Sequence, residues 1–490
     1  MISILHDPLF TAVELDGGVR RLGLLELLAE AHRFSDLKAN SCTGKFALIR
    51  LCIAFLSDAY RLQNIDDRAD LLAEDYFDRK KLERYVAACE AKGACFALDD
   101  EEKPFMQAAF DSELDESAEK PVSKIMFDCP SGNNHIHCDH RHEDEHEADT
   151  AAAFENMLET YLFCPAGLSG ASNVNNTPPI YAFIHGGNLF ETLVLNMVSE
   201  EELDNIPFGT GEVAWTRNEL IKPGEKVVNM SFLKALTWQP RRLTLLWDED
   251  GMVRRVLLQN GLNFQGNALW QDPHALFRKT KDESWTTVKP ELGRELWRDA
   301  GSLVSSGSSS RTTVPIMNID QVWDECPSWL DVELIGLVTN QESVLGRVNE
   351  RLRMPRELFE REELAAEFRN ILDRTETMYR SFIKDVAWQF GHASDKKKKS
   401  VVAEQAGEIY LHNMHEVVFG RYLDDLLAGI PALERVTRFM DAMRKSLNEA
   451  LTEAVDTTGN DVPTMKRQNA VRAAVRKDYM ALRKELGLNE

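Results

Sequence analysis

The sequence has no apolar run long enough to cross a membrane. Its longest uninterrupted runs, such as LCIAF at 51–55, fall far short of the roughly 18 residues that a spanning helix needs. The N-terminal stretch MISILHDPLF also lacks the basic flank, longer apolar core and cleavage site of a secretory signal. We therefore expect a protein with no membrane partner that works in the cytoplasm.

The patterns of the common enzyme classes are also missing. The sequence contains no nucleotide-binding P-loop, no GxSxG elbow and no GxGxxG that opens a suitable helix. Its eight cysteines include no CxxC pair, so there is no zinc-ribbon or redox signature, and in a reducing compartment we expect free thiols. His6-Asp7 matches the dipeptide of HD-type phosphohydrolases, but two residues are a very weak signal. Because they lie in an expected first strand, a structural role is favoured. These absences favour a protein without catalytic activity or a cofactor.

Positive charge is scarce in one part of the chain only. The formal net charge is −23, from 57 Lys and Arg against 80 Asp and Glu. Residues 353–490 hold 23 of each sign, which leaves 34 bases against 57 acids before them. Charges more than about 8 to 10 Å apart are screened at physiological salt, so a local basic surface can still bind phosphate.

The order of apolar patterns indicates an α+β fold with two parts. Residues 1–352 mix helical segments, such as KFALIRLCIAFLSDAYRL, with strand-like ones; SFLKALTWQPRRLTLLWDEDGMVRRVLLQNG indicates two strands joined by a hairpin turn. The Ser/Gly-rich stretch at about 300–313 is typical of a flexible surface loop. Residues 353–490 show four helical patterns, near 357–391, 400–427, 431–456 and 464–486, which predict an antiparallel four-helix bundle.

Two basic features stand out in the second part. Lys396, Lys397, Lys398 and Lys399 form a run between the first two helical patterns. In the last pattern Val471, Val475, Leu482 and Leu486 share one face, and Arg472, Arg476, Tyr479 and Arg483 fall beside it. The basic residues could contact phosphate or could simply form a solvated face.

A histidine-rich segment at 135–146 raises the question of a metal site. His137, Cys138, His140, His142 and His146 are of the residue types that bind zinc, but their spacing matches no established zinc pattern. A solvated loop without a metal is the favoured interpretation. The alternative is a metal-dependent nuclease or phosphohydrolase built on this segment.

Two further stretches are polar or flexible enough to meet a ligand. CPAGLSGASNVNNTPP at 164–179 combines small residues with asparagines and prolines, and glycine lets a backbone come close to a ligand. VTNQESVLG at 338–346 has a polar tip between apolar flanks, as in a projecting hairpin, and Asn and Gln amides can hydrogen-bond base edges. Taken alone, the first stretch is better explained as an ordinary turn, and for the second the residues do not decide between a turn and a binding role.

Taken together, these segments resemble one family, the CasA large subunit of the type I-E CRISPR Cascade surveillance complex. The resemblance extends over nearly the whole chain and keeps the family's order: LLELLAEAHRF, KPFMQ at 103–107, PSGNN at 130–134, the small-residue loop, TPPIYAFIHGGNLFETLVLNM, LTWQPRRLTL, ALWQDPH and TNQES. It implies a subunit that recognises the protospacer-adjacent motif (PAM) of double-stranded target DNA, starts strand separation and R-loop formation, and helps to recruit a helicase-nuclease. The implied partners are the other Cascade subunits, the 5′ handle of the guide RNA, target DNA and the helicase-nuclease.

The resemblance also assigns roles to residues. It implies a PAM-binding glycine loop at Ala166, Gly167, Leu168, Ser169 and Gly170, a strand-separating wedge at Asn340, Gln341 and Glu342, and a groove contact from Arg254 or Arg255. It implies a loop against the guide RNA and a neighbouring subunit, with Asn133, Asn134, Cys138, Asp139 and His140. In relatives the terminal bundle helps to hold the opened DNA, which suggests phosphate contacts for Lys396 to Lys399 and for Arg472, Arg476 and Arg483. Some relatives hold zinc near the guide-RNA loop through cysteine pairs that this chain lacks, so no metal is carried over.

Overall fold

A computed structural model describes the chain apart from a set of short segments. These are residues 116–117, 130–145, 165–173, 175–176, 204–207, 218–219, 267–269, 305–309, 324–326, 341–342, 392–399, 457–458, 460, 487 and 489–490. The chain forms two compact units. The first comprises Met1–Leu296, Ser305–Cys326 and Asp331–Arg351, and the second comprises Trp297–Val304, Pro327–Leu330 and Leu352–Glu490.

The strands are short, apart from four longer ones that form two hairpins. In chain order they are β1 Phe10–Glu14, β2 Val19–Leu22, β3 Phe34–Lys38, β4 Glu119–Pro121, β5 Tyr181–His185, β6 Lys226–Val227, β7 Arg241–Trp247, β8 Val253–Asn260, β9 Asn263–Phe264, β10 Phe277–Lys279, β11 Trp285–Thr287, β12 Ser310–Arg311, β13 Trp329–Asn340 and β14 Ser343–Pro355. They form sheets in the orders β2-β1-β3, β11-β10-β12, β14-β13-β5, β4-β8-β7 and β6-β9. The β6–β9 pair is parallel.

The helices are distributed over both units. Those of the first unit are α1 Leu24–Ala29, α2 Cys42–Tyr60, α3 Ile65–Ala73, α4 Arg79–Ala91, α5 Ser112–Asp115, α6 Thr150–Phe163, α7 Leu189–Leu195, α8 Phe232–Leu236, α9 Val314–Met317 and α10 Ile319–Val322. Those of the second are α11 Glu357–Glu360, α12 Glu362–Phe390, α13 Val401–His415, α14 Leu423–Leu427, α15 Ala432–Asp456 and α16 Val462–Glu485. The fold is therefore mixed helix and sheet, as predicted, and helices make up most of the second unit. Among the described helices, none is long and apolar enough to span a membrane.

Helix α2 is the centre of the first unit's core. Its N-cap Ser41 accepts a hydrogen bond from the Gly44 amide at 2.8 Å, which begins the helix, and the apolar side chains of 46–49 and 51–56 are all buried. The Phe46 ring packs on Tyr181 and Phe183 of β5, with ring centroids 5.0 and 5.4 Å apart. Burying each such side chain contributes about 1.5–3 kcal/mol, so α2 and β5 form a stable base for what they carry.

The second unit is built on the apolar face of α12. Its buried residues recur every three or four positions, the spacing of one helix face: Leu364, Phe368, Ile371, Leu372, Thr375, Met378, Phe382 and Val386. The Tyr410 hydroxyl of α13 donates to the Thr375 carbonyl at 3.3 Å, and Arg435 of α15 pairs with Glu367 at 2.7 Å. Between α13 and α14 the helix widens into a π segment, Glu416–Tyr422. The four predicted helical regions are confirmed.

Three local predictions need correction. His6 and Asp7 lie in a turn, and the first strand begins only at Phe10. The stretch predicted as the start of a hairpin strand forms helix α8 before β7 begins at Arg241, because its apolar residues pack into the core from a helical turn. Segment 300–313 was predicted as a flexible surface loop. Ala300, Leu303 and Val304 are buried instead, and β12 lies at the end of the segment.

Candidate nucleic-acid interface

The hairpin β13–β14 carries the first predicted contact. Its strands of 12 and 13 residues are separated by residues 341–342, and Asn340 is exposed at the end of β13. Strand β13 pairs with β5 from Asp331↔His185 to Ile335↔Tyr181, and its side chains are buried from Val332 to Val338. The hairpin therefore rises from a buried, hydrogen-bonded base. Gln341 and Glu342 lie outside the described residues.

A cluster of buried charges lies at that base. The Lys45 ammonium on α2 is 2.9 Å from Glu333 and 3.0 Å from Asp36, and His185 of β5 is 2.5 Å from Glu333. Burial alone would raise the pKa of Glu333, but the hydrogen bonds from His185 and Lys45 and the charge of Lys45 lower it to about 2. Glu333 is therefore a carboxylate at neutral pH and fixes the inner half of β13.

The same cluster has the residue types of a metal site. Ligand atoms of Asp36, His185 and Glu333 lie within 4.8 Å of one another. The Lys45 ammonium, however, already contacts both carboxylates, and it neutralises the charge that would attract a cation. We assign this cluster a structural role.

The two candidate arginines of β8 are both ion-paired. Arg254 contacts Asp248 and Asp250 at 2.8 Å and Glu147 at 2.5 Å, and Arg255 contacts Glu119 at 2.7 Å. Three carboxylates around one guanidinium make its surroundings negative, so a DNA phosphate would meet repulsion at Arg254. Arg255 has one exposed acidic neighbour and is the more accessible candidate.

The predicted guide-RNA loop is defined here only by its two ends. Cys129 Sγ lies 3.8 Å from the ring nitrogens of His146, so residues 129 and 146 meet. Asn133, Asn134, Cys138, Asp139 and His140 lie outside the described residues, as does the rest of the histidine-rich segment. The predicted glycine loop, Ala166 to Gly170, also lies outside them; it follows Cys164, a buried residue that ends α6 in the left-handed region with φ 33°.

The basic face of α16 differs from its prediction in one residue. Arg472 and Arg476 are exposed, while Tyr479 is buried and belongs to the apolar face with Val471 and Leu482. Arg472 donates to the Thr452 hydroxyl at 3.1 Å, and Arg483 is 3.7 Å from Asp441. Lys396 to Lys399 lie outside the described residues.

Sequence reasoning missed a second buried charge network. The Arg50 guanidinium forms two hydrogen bonds to Asp272, at 2.7 and 2.9 Å, and His274 lies 2.8 Å from Arg50 and 2.7 Å from the Asn196 carbonyl. The signal was present, because Asp272 and His274 belong to ALWQDPH and Asn196 to TPPIYAFIHGGNLFETLVLNM. Those two segments contribute to the family resemblance, but no role was predicted for their residues.

A family comparison places the chain in a class of proteins, the CRISPR-associated proteins. The model of the family described as CRISPR-associated protein Cse1 matches residues 4–458. The chain belongs to this family.

One relative found by sequence and two solved structures give the scale of the similarity. CRISPR-associated protein CasA/Cse1 of Thermus thermophilus is 26% identical over 361 residues, which are 70% of this chain and 69% of the relative. A solved structure of Thermus thermophilus CasA (Cse1) superposes with a TM-score of 0.79 at 20% identity, covering 97% of this chain and 98% of that one. A chain of a CRISPR RNA-guided surveillance complex superposes with a TM-score of 0.78 at 18% identity, covering 97% of this chain and 99% of that one.

Proposed function

We propose that this chain is the PAM-recognising large subunit of a type I-E CRISPR Cascade complex. In this role it binds double-stranded target DNA, separates the first base pair and helps to recruit the helicase-nuclease that cuts. The chain itself has no catalytic part in that process. Membership of the Cse1 family and the likeness to a chain of an RNA-guided surveillance complex support the proposal.

The hairpin β13–β14 is the observation that carries it. The TNQES motif falls where the two strands meet, with Asn340 exposed at the end of a strand that is buried over seven residues. A hairpin that displaces a base pair must keep its position, so it needs a rigid attachment to the core. Pairing with β5 and the Lys45–Glu333 contact supply one.

Small free-energy differences at the first base pair decide whether strand exchange proceeds. Exchange of a DNA duplex for an RNA–DNA hybrid is nearly balanced, at about 1.4 kcal/mol per base-pair step on either side, so initiation controls the whole process. A protein that contributes a few kcal/mol at the first pair starts the exchange. In this proposal Asn340, Gln341 and Glu342 make that contribution.

The remaining contacts complete the proposed interface. The Ala166–Gly170 loop lies against the minor groove of the PAM, whose degenerate pattern permits several related sequences, and Arg255 or Arg254 adds a contact. Asn133, Asn134, Cys138, Asp139 and His140 meet the 5′ handle of the guide RNA and a neighbouring subunit. The helices of the second unit form a four-helix bundle that holds opened DNA through Lys396 to Lys399, Arg472, Arg476 and Arg483.

The test replaces Asn340 and Gln341 together by alanine in the assembled complex with guide RNA. We expect assembly to be retained and strand opening of a matched target to fall about tenfold, equivalent to ~1.4 kcal/mol at the first pair. Strand opening is measured with a fluorescent base analogue next to the PAM, on targets that differ only in the PAM. Replacing Gln468 and Asn469 of α16 by alanine removes the same two amides elsewhere and should leave opening unchanged.

The proposal is wrong if the complex opens matched targets equally well whatever the PAM, or without this chain. Intrinsic cutting of DNA by the isolated chain, together with stoichiometric bound metal, would instead support the nuclease alternative at 135–146.

A further inference from the structure

Arg347 of β14 connects four separate segments of the first unit. Its Nε lies 2.7 Å from the Thr43 hydroxyl at the start of α2 and 3.0 Å from Glu159 of α6. Its Nη1 pairs with Asp128, and its guanidinium lies 5.9 Å from the centre of the Phe127 ring. These partners are 188 to 304 residues away in sequence, so only the folded chain brings them together.

The inner half of this arrangement is buried and fixed. The Glu159 side chain is 1% exposed and also accepts hydrogen bonds from the Ser41 and Thr43 hydroxyls. Gly44 permits the close approach of α2 to α6, because a Cβ there would lie 2.0 Å from Glu155 Oε1. Arg347 therefore fixes β14 on a rigid platform formed by the two helices.

The outer half faces a different segment. The Asp128 side chain is 69% exposed and lies two residues before segment 130–145 in the chain. Arg347 is four residues from Ser343, where β14 begins, which is about 13 Å at the rise of a strand. Arg347 thus lies on the strand that leads to the hairpin tip and contacts the residues that lead into the predicted guide-RNA loop.

We propose that Arg347 is a positioning residue that holds hairpin β13–β14 in register with the Phe127–Cys129 segment, so that strand opening depends on the Arg347–Asp128 contact. This inference rests on the proposed function. The guanidinium suits the task because its planar donors bind Glu159 and Asp128 at the same time, which an ammonium does with less geometric control. Through it, the placement of residues 127–129 by a partner is transmitted to the wedge.

The main test is Asp128→Asn in the assembled complex. Its exposed carboxylate contributes little to stability, so the variant should fold and assemble as the wild type does. We expect the rate of strand opening on a PAM-matched target to fall about five- to tenfold, the range of moderate coupling between two sites. Asp128→Glu should restore most of the rate, because it keeps the charge that Arg347 binds.

Asp331→Asn is the matched control. Asp331 pairs with Arg351 at 3.1 Å between the same two strands, and both side chains are exposed, but the pair includes no residue of the 127–129 segment. The control should open DNA at the wild-type rate.

Arg347→Met provides a second variant for the same contact. It leaves Glu159 buried without its cation, so a lower melting temperature is expected as well. In a double-mutant cycle with Asp128→Asn, the effects on opening should be less than additive.

The outcomes separate this inference from the function on which it rests. If Asp128→Asn opens DNA at the wild-type rate while the Asn340/Gln341 variant is slow, the coupling is wrong and the wedge stands. If neither variant changes opening, the proposed function is wrong. If Asp331→Asn slows opening as much as Asp128→Asn does, the effect comes from any lost charge on the hairpin, and the coupling is again wrong.

Discussion

At the scale of single residues, the first unit is marked by buried charges that are paired. Arg50 with Asp272, Lys45 with Glu333 and Arg68 with Glu202 each place a cation against a carboxylate with very little exposure. A buried charge is costly alone, and removing one partner typically destabilises a protein by about 3–5 kcal/mol. These pairs therefore help to specify one arrangement of α2, α3, β13 and the 272–274 segment.

His274 makes part of this stability depend on pH. Burial and the neighbouring Arg50 charge lower the pKa of His274 to about 4, so the folded protein holds a neutral ring where the unfolded chain titrates near 6.5. As the pH falls, the unfolded chain binds a proton at this histidine before the folded protein does. The stability that His274 contributes is therefore fully present above about pH 6.5 and is lost as the pH falls toward 4. We expect a loss of about 2 kcal/mol between pH 8 and pH 5 from this residue.

The measurement is the urea concentration at the midpoint of unfolding, at pH 8 and at pH 5, for the wild type and for His274→Gln. The variant should be less stable at pH 8 but lose less stability on acidification. His412→Gln, which changes an exposed histidine, should keep the wild-type difference. An unchanged pH dependence in His274→Gln would contradict the assignment.

At the scale of elements, long periodic patterns were predicted well and short ones were not. Helix α15 at Ala432–Asp456 and α16 at Val462–Glu485 lie within two residues of the predicted 431–456 and 464–486. The 231–240 stretch was predicted as strand but contains α8, because five residues of apolar pattern fit a helical turn or a strand equally. The π segment Glu416–Tyr422 has no sequence signal of its own.

The apolar face of α12 gives a prediction at this scale. Phe382 is fully buried and packs 6.0 Å from the Tyr410 ring, whereas Trp388, six residues later, is 84% exposed. Phe382→Ala should destabilise the second unit by about 3–5 kcal/mol through lost transfer energy and a cavity. Trp388→Ala should change stability by less than about 0.5 kcal/mol.

Thermal unfolding of the full chain, followed by calorimetry, compares the two variants. Equal melting temperatures for Phe382→Ala and the wild type would contradict the buried face. A large loss in Trp388→Ala would show that this tryptophan has a packing role.

At the scale of the whole molecule, charge is distributed unevenly. The excess of acid lies before residue 353, and nine acids stand against two bases within 99–120 alone. A polyanion is repelled by this excess of acid and needs local basic sites to bind. This favours the run at Lys396 to Lys399 and the exposed Arg472 and Arg476 as the phosphate contacts of the second unit.

Salt dependence tests this assignment. Each phosphate contact contributes about 0.9 to the slope of log K against log salt on duplex DNA. Replacing Lys396 to Lys399 by alanine should lower the magnitude of the slope for target binding by the assembled complex by roughly 1 to 3. Alanine at Arg79, Lys80, Arg84 and Lys92, four exposed residues of α4 and its C-cap in the first unit, removes the same charge and should leave the slope unchanged. Equal slopes for the wild type and the Lys396 to Lys399 variant would exclude these lysines as phosphate contacts.

The sequence by itself determined the family, the mixed fold, the long helices and the hairpin at TNQES, because apolar periodicity and ordered motifs depend on neighbours along the chain. The tertiary structure decided which residues meet across long separations: Lys45 with Glu333, Arg50 with Asp272, Arg347 with Asp128. It also showed Arg254 among three carboxylates and Tyr479 inside the core. Such contacts depend on how distant segments pack, and no local pattern records the partner of a charge that lies 200 residues away.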